Sequence, residues 1–197
     1  MEVAIRTEAA GAAGEDRAGA FPFAGGQLLV LADGAGGMTG GAAAAQQVVD
    51  AVRALDPTQE HDWVQVLTRL DTHLSSSAGL GETTAVVAFV TDDEIVGASV
   101  GDSGAWMLMG IWLNLLEDQH RKPLLGTGSA LPVAFGPFPI GERVLLGSDG
   151  LFKYVDAERI GQLARDASLE AAATELVRAA RLPTGRLQDD ITVVIAG

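Results

Sequence analysis
Twice in this chain an apolar run ends in Asp-Gly and then continues toward a helix instead of turning back as a strand. The first case is Leu28–Gly41, LLVLADGAGGMTGG, and the second is Arg143–Gly150, RVLLGSDG, followed by Leu151–Asp156. Asp-Gly behind a strand ordinarily signals a tight hairpin, which demands a returning strand about two residues later. Neither stretch supplies one. The chain must therefore adopt a fold in which buried strands stop at a carboxylate and hand over to helices.

Periodicity fills in the other elements. Short β-type runs come first, at Val3–Arg6, Gly19–Phe23 and Gln27–Ala32. Gly40–Leu55 is alanine-rich without internal proline and predicts a helix, stopped by Asp56-Pro57. A second helix from Asp62 carries Trp63, Val66, Leu67, Leu70 and Leu74 on one apolar stripe. Strand-like runs follow at Thr83–Thr91, Ile95–Val100 and Ala105–Gly110, with Asp92-Asp93 as a tight turn. Glu117–Glu142 holds four of the seven prolines and reads as irregular. Then come a strand at Arg143–Gly147, a mostly helical Asp156–Arg181 broken near Ser168, and a closing strand at Ile191–Ala196. Blocks of strands separated by helix pairs do not alternate as a parallel doubly wound sheet does. They predict an α+β fold with antiparallel sheets and helices packed outside. The 197 residues show no repeat and no low-complexity linker, so one domain over 1–197 is expected.

The glycines after Asp33 fail as a phosphate cradle. A P-loop needs a lysine at a fixed place behind its glycines, and none follows Gly34. A dinucleotide fingerprint breaks at Thr39, and the next element is a second helix rather than a strand bearing an acid for the ribose. Two more acidic positions flank strand ends: Asp102 in VGDSG, and Asp189-Asp190 ahead of ITVVIA. One aspartate at a strand end is usually a turn former. Several that converge repel one another unless cations lie between them. With no cysteine and only His61, His73 and His120, the available ligands are oxygens, which favour hard ions such as magnesium or manganese. Glycine beside Asp33 lets the backbone come close, making the Gly34 carbonyl a candidate ligand. Two such ions can hold a water between them and lower its pKa from ~15.7 toward neutrality. That is a nucleophile for a chain with no Ser-His or Cys-His pair in view.

With 13 basic against 26 acidic side chains, the net charge of −13 argues against nucleic acid or an anionic membrane as partner. No basic n-region with an apolar h-region opens the chain, and no apolar run nears the ~18 residues of a membrane span, so a cytoplasmic protein is expected. Trp63, Trp106 and Trp112 read as packing residues and His120-Arg121-Lys122 as a solvated loop, with a phosphopeptide contact as the alternative. Thr83 and Thr84 read as a strand start without chemistry.

Six segments, in order, resemble those of the metal-dependent protein phosphatases of the 2C type, the PPM family, in a short bacterial form. They are Glu15-Asp16, VLADGAGG (30–37), GETTAVVAFV (81–90), GASVGDSGAW (97–106), LLGSDGLF (145–152) and DDITVVIA (189–196). The resemblance implies a four-layer α-β-β-α sandwich of two antiparallel sheets, helices outside, with metals at one edge of the sheets. It implies that Asp33 bridges two Mn²⁺ or Mg²⁺ ions and that the Gly34 carbonyl binds one of them. Asp149 and Asp189 would complete the first ion's shell, and Glu15 or Asp16 would hold the other through water. Asp102, with Asp149, matches a third metal position. Asp33, Asp149 and Asp189 would serve hydrolysis of phosphomonoesters by a hydroxide bridging the ions. The implied substrate is a phosphorylated protein, in the setting of a Ser/Thr kinase or its targets, and the implied state is a monomer.

Three departures from the family pattern matter. The arginine that binds substrate phosphate is replaced by Gly11, leaving Arg6 or Arg17 as substitutes. Gly104 stands at the G-D-S-R arginine and Ala35 at the histidine after D-G, so leaving-group protonation would fall to a metal-bound water. The interval from Asp102 to Asp149 is short, which implies a shortened or absent flap and an open site. The alternative from another class is a catalytically weak or silent member that binds or senses phosphoproteins.

Overall fold
The computed structural model describes residues 1–35, 40–56, 59, 61–166 and 168–197. Gly36–Thr39 of the glycine loop and Pro57 of the expected helix stop lie outside the described residues. The first sheet is formed by β1 (Val3–Glu8), β8 (Gly104–Met109), β9 (Ile111–Asn114), β11 (Arg143–Gly147) and β12 (Ile191–Ala196), in the order β1-β12-β11-β8-β9. The second contains β2 (Arg17–Phe23), β3 (Gly26–Ala32), β6 (Ala85–Thr91), β7 (Glu94–Val100) and β10 (Val133–Pro139), in the order β10-β7-β6-β3-β2. A short ladder pairs β4 (Gly34–Ala35) with β5 (Glu82–Thr83). Every recorded pairing is antiparallel.

Strand parity produces three apolar layers. In β3, Leu29 and Leu31 point between the sheets to meet Val86, Met107, Leu146 and Val194, while Leu28 and Val30 point outward. Over that outer face lie α1 (Gly41–Arg53) and α2 (Trp63–Ser76), which contribute Ala44, Val48, Leu67 and Leu74. On the other sheet Leu145, Val193 and Ile195 point outward under α3 (Asp149–Tyr154), α4 (Ala157–Leu163) and α5 (Leu169–Ala179). Both faces of each central strand are therefore buried, which is why these segments read as continuous apolar runs. The result is the expected four-layer α-β-β-α sandwich. Side chains cap α2, α4 and α5: Asp62 accepts from the Gln65 N–H, Asp156 from the Arg159 N–H and Ser168 from the Ala171 N–H.

Besides the two-residue β4, two strands fall in places the periodicity leaves unassigned. β10 lies inside the proline-bearing Glu117–Glu142 segment. It is an edge strand with a register shift between Phe135 and Phe138, which is where a sheet tolerates residues that lack an N–H. β9 is the opposite sheet's edge, and 115–132 joins it to β10 with only the isolated bridge between Thr83 and Leu125. Asp71, buried on α2, accepts from the N–H groups of Gly126 (2.8 Å), Gly128 (3.0 Å) and Ala130 (3.0 Å), pinning that connection to the helix layer.

Candidate metal centre
Ladder register gathers the acids. Arg17 pairs with Ala32, Ala85 with Val100, Gly147 with both Gly104 and Val193, and Glu8 with Ile191. The end of β3, the end of β7, the end of β11 and the starts of β2 and β12 therefore share one end of the sandwich. Asp33, Asp102, Asp149, Asp16 and Asp189 sit on those ends. Two glycines make the approach possible. A side chain at Gly34 would run into the backbone of Gly41, and one at Gly150 into the carbonyl of Asp190.

Asp33 is clamped through its backbone. Its N–H donates to Thr84 Oγ1 (2.9 Å), and its carbonyl accepts from Thr83 Oγ1 (2.9 Å) and the Thr84 N–H (2.8 Å). Thr84 Oγ1 in turn meets Ser103 Oγ at 2.7 Å. The two threonines without assigned chemistry thus fix the backbone of the central acid. On the other sheet, Thr192 N–H donates to Ser148 Oγ (2.9 Å) and Ser148 N–H to the Thr192 carbonyl (3.0 Å), holding the Asp149 turn against the strand that follows Asp189. Asp190 accepts from Ala10 N–H (2.8 Å) and Glu15 N–H (2.6 Å), tying the acidic pair Glu15-Asp16 to the same edge. The Glu15 carboxylate lies close to Gly41 at the start of α1.

At its buried centre, Asp16 and Asp33, this cluster has the electrostatics of acids with no cation beside them. Asp16 is 1% exposed, and neither of its carboxylate oxygens has a hydrogen-bond partner. Ser148, Thr192 and Asp33 stand near enough to pull its pKa down, yet none makes a bond of good geometry. Burial outweighs them, helped by Asp190, and the group is raised to about 6. Burial also dominates at Asp33, followed by the charges of Asp16, Asp149 and Asp189, and raises it to about 9. Asp149 is raised by burial, with Asp102 and Asp189 adding to it and Lys153 opposing. Among the described residues no three acids are closed into a cage around one ion; they act on one another through charge.

That environment fits hard divalent cations. The donors are all oxygen, two of them are buried and orphaned, and the repulsion between them is what positive charge relieves. A cation from the chain already stands beside the acids: Lys153 Nζ lies 3.4 Å from Asp189 Oδ2 and 3.6 Å from Asp149 Oδ2. Asp102 has its own partner in Arg121, whose Nη2 (2.8 Å) and Nε (3.2 Å) both reach Asp102 Oδ2. A groove of about 440 Å³ runs past Asp102, Asp149, Lys153 and Arg121, walled by Phe152. A larger groove of about 490 Å³ opens at the edge between β9 and β10, lined by Met107, Leu113 and Phe135. Chemistry rather than volume places the candidate site in the first.

Comparison with known proteins decides the family. The family model of Stage II sporulation protein E (SpoIIE) matches residues 24–197. This chain belongs to the SpoIIE family of PPM-type phosphatases. Among solved structures, a bacterial serine phosphatase carrying a point substitution is similar over 100% of this chain and 97% of its own, with 27% identity and a TM-score of 0.84. The serine/threonine phosphatase Stp1 from Staphylococcus aureus matches at 24% identity over 100% of this chain and 94% of its own, TM-score 0.83. The catalytic domain of PstP in complex with two manganese ions matches at 23% identity over 98% and 96%, TM-score 0.80. These last two likenesses speak for the fold. No curated protein sequence matches the chain.

For this SpoIIE-family member the structure also shows where the candidate phosphate-binding arginines point. Arg17 Nη1 donates to the carbonyls of Asp16 (2.7 Å) and Gly14 (3.0 Å), bracing the acidic pair from behind. Arg6 shares the outer face of β1 with Ala4, whereas Val3 and Ile5 pack between the sheets. Gly104 is filled from outside, because a side chain there would strike the Phe152 ring. Trp106 lies 5.1 Å from that ring and 6.4 Å from Trp112, so the indoles are packing residues as expected. From the sequence, Asp190 reads only as half of the Asp189-Asp190 pair and Arg121 only as part of a loop, and Lys153 is missed. Lys153 has a legible signal, a cation four residues behind Asp149 on a helical stretch.

Proposed function
We infer that this chain is a metal-dependent serine/threonine phosphoprotein phosphatase that uses manganese or magnesium. The observation that carries this reading is the meeting of Asp16, Asp33, Asp149 and Asp189 at one end of the sandwich, with Asp16, Asp33 and Asp149 raised in pKa and both Asp16 oxygens orphaned. Asp33, Asp149, Asp189 and the Gly34 carbonyl would hold one ion. Asp33 with Glu15 or Asp16 would hold a second, and Asp102 with Asp149 offers a third position. When bound, the ions supply Lewis-acid polarisation of the phosphoryl oxygens and acidify water.

The chain's own residues supply rigidity and access. Thr83, Thr84 and Ser103 hold Asp33 so that its carboxylate needs little reorganisation. Asp190 fixes the loop carrying Glu15 and Asp16. The flap is reduced to 115–132, which leaves the groove open to a phosphorylated side chain on a protein surface. The setting proposed is a cytoplasmic monomer acting on targets of a Ser/Thr kinase. Among the described residues no helix is long and apolar enough to cross a membrane.

One observation favours the alternative of a silent phosphoprotein-binding member: neither Arg6 nor Arg17 points into the groove. The assay that separates them is hydrolysis of p-nitrophenyl phosphate with Mn²⁺, with EDTA, and for Asp33→Ala. Turnover that requires Mn²⁺ and Asp33 supports the enzyme. Its absence from the wild type, with phosphoprotein binding retained, supports the silent member.

A further inference from the structure
We propose that Lys153 replaces the missing phosphate-binding arginine: its ammonium neutralises Asp149 and Asp189 in the metal-free protein and transfers to the substrate phosphate when cations take those acids. This rests on the phosphatase reading and adds to it the residue that recognises the phosphoryl group.

Position is the first support. Lys153 lies on α3, one turn behind Asp149, so it shares that residue's face of the helix. It lines the same groove as Asp102 and Asp149, beside the Phe152 wall. Two of the other cations lie away from the groove: Arg17 is bound to two backbone carbonyls and Arg6 is on the outer face of β1. Arg121 shares the groove wall but holds Asp102 through two N–H groups, whereas Lys153 makes only long contacts. Reach is the second support. Four methylenes let an ammonium swing several ångströms about a fixed Cα, and ammonium is the point-charge form of phosphate recognition.

Energetic order is the third. Both ion pairs of Lys153 are long, at 3.4 and 3.6 Å, and its side chain is 50% exposed. Pairs of that kind are among the weakest in proteins. A divalent ion competing for Asp149 and Asp189 displaces the ammonium easily. A phosphate monoester, with about two negative charges near neutral pH, offers it a better acceptor than either carboxylate.

The test uses the full chain as wild type, Lys153→Met and Lys153→Arg. Calorimetry measures Mn²⁺ binding to each metal-free protein, then inorganic phosphate binding to each Mn²⁺-loaded protein. Phosphoserine-peptide hydrolysis supplies KM and kcat. Lys153→Met is expected to bind Mn²⁺ as tightly as wild type or more tightly. It should bind phosphate about tenfold more weakly and raise KM about tenfold, with kcat changed less than about threefold. Lys153→Arg should recover most of the phosphate affinity. Unchanged phosphate affinity in Lys153→Met overturns the proposal, as does weaker Mn²⁺ binding or a wild type that takes Mn²⁺ but no phosphate. A wild type that binds both and hydrolyses nothing counts against the phosphatase reading alone, and the phosphate measurement still judges Lys153.

Discussion

Replacing Asp33 by asparagine should stabilise the metal-free protein while removing its capacity for a metal pair. Asp33 is raised from the ordinary 3.8 to about 9, first by burial and then by Asp16, Asp149 and Asp189. The folded state therefore keeps a proton that the unfolded chain has released, and stability falls as pH climbs through that window. Each pKa unit is worth about 1.4 kcal/mol, so the span from 3.8 to pH ~7.5 sets an upper bound of about 5 kcal/mol. Relaxation of a partly exposed group, and proton sharing with Asp16, bring the expected gain for Asp33→Asn to about 2 kcal/mol at that pH. For a cooperative unit of the size of this 197-residue chain this is a rise in Tm of about 4–8 °C. Melting curves in EDTA, from pH ~5 to ~8.5, are the assay. The wild type should lose Tm as pH rises, and Asp33→Asn should lose less, so that the gap is small at acid pH and widest at alkaline pH. Asp16, raised to about 6, adds its own decline at the acid end of the range in both proteins. With Mn²⁺ present, the wild type should gain several degrees and the variant little. Equal slopes in EDTA, or a variant melting below wild type at pH ~8, would refute the idea that unrelieved negative charge surrounds Asp33.

Two further substitutions probe the scaffold under the site. Asp71→Asn leaves one good acceptor oxygen where three N–H groups converge, and should cost ~1–3 kcal/mol in chemical denaturation; a cost below about 0.5 kcal/mol would show that 126–130 is held by other contacts. Gly150→Ala drives a methyl into the Asp190 carbonyl, prising α3 from β12 and with it Asp149 from Asp189. It should cost ~2 kcal/mol and weaken Mn²⁺ binding about tenfold, and wild-type Mn²⁺ affinity in a folded Gly150→Ala protein would contradict the close-approach role.

Much of this architecture was legible because one physical pattern repeats. Asp33 and Asp149 each follow an apolar strand and precede glycine and helix, and such a carboxylate has no easy use as a turn former. Asp102 and Asp189 extend the pattern to other strand ends, and antiparallel register then brings them together. What stayed hidden depended on which way a side chain turns. Arg6 and Thr7 are neighbours in sequence, yet strand alternation puts Arg6 outside while Thr7 bonds Thr192 beside the site. Thr83 and Thr84 look like ordinary strand formers until the ladder sets them against Asp33. β10 was masked by its own prolines, which only an edge strand accommodates. Lys153 matters because the chain folds Asp189 to within reach of it, a contact between residues 36 apart in sequence.

The proposed dinuclear centre around Asp33 is tested most directly by titrating the metal-free protein with Mn²⁺ while following phosphate release from a phosphoserine peptide. Two ions per wild-type chain are expected, with turnover appearing as they bind, and Asp33→Ala should lose both the stoichiometry and the turnover. Hydrolysis that proceeds in EDTA, or that survives in Asp33→Ala, would contradict the proposed metal centre.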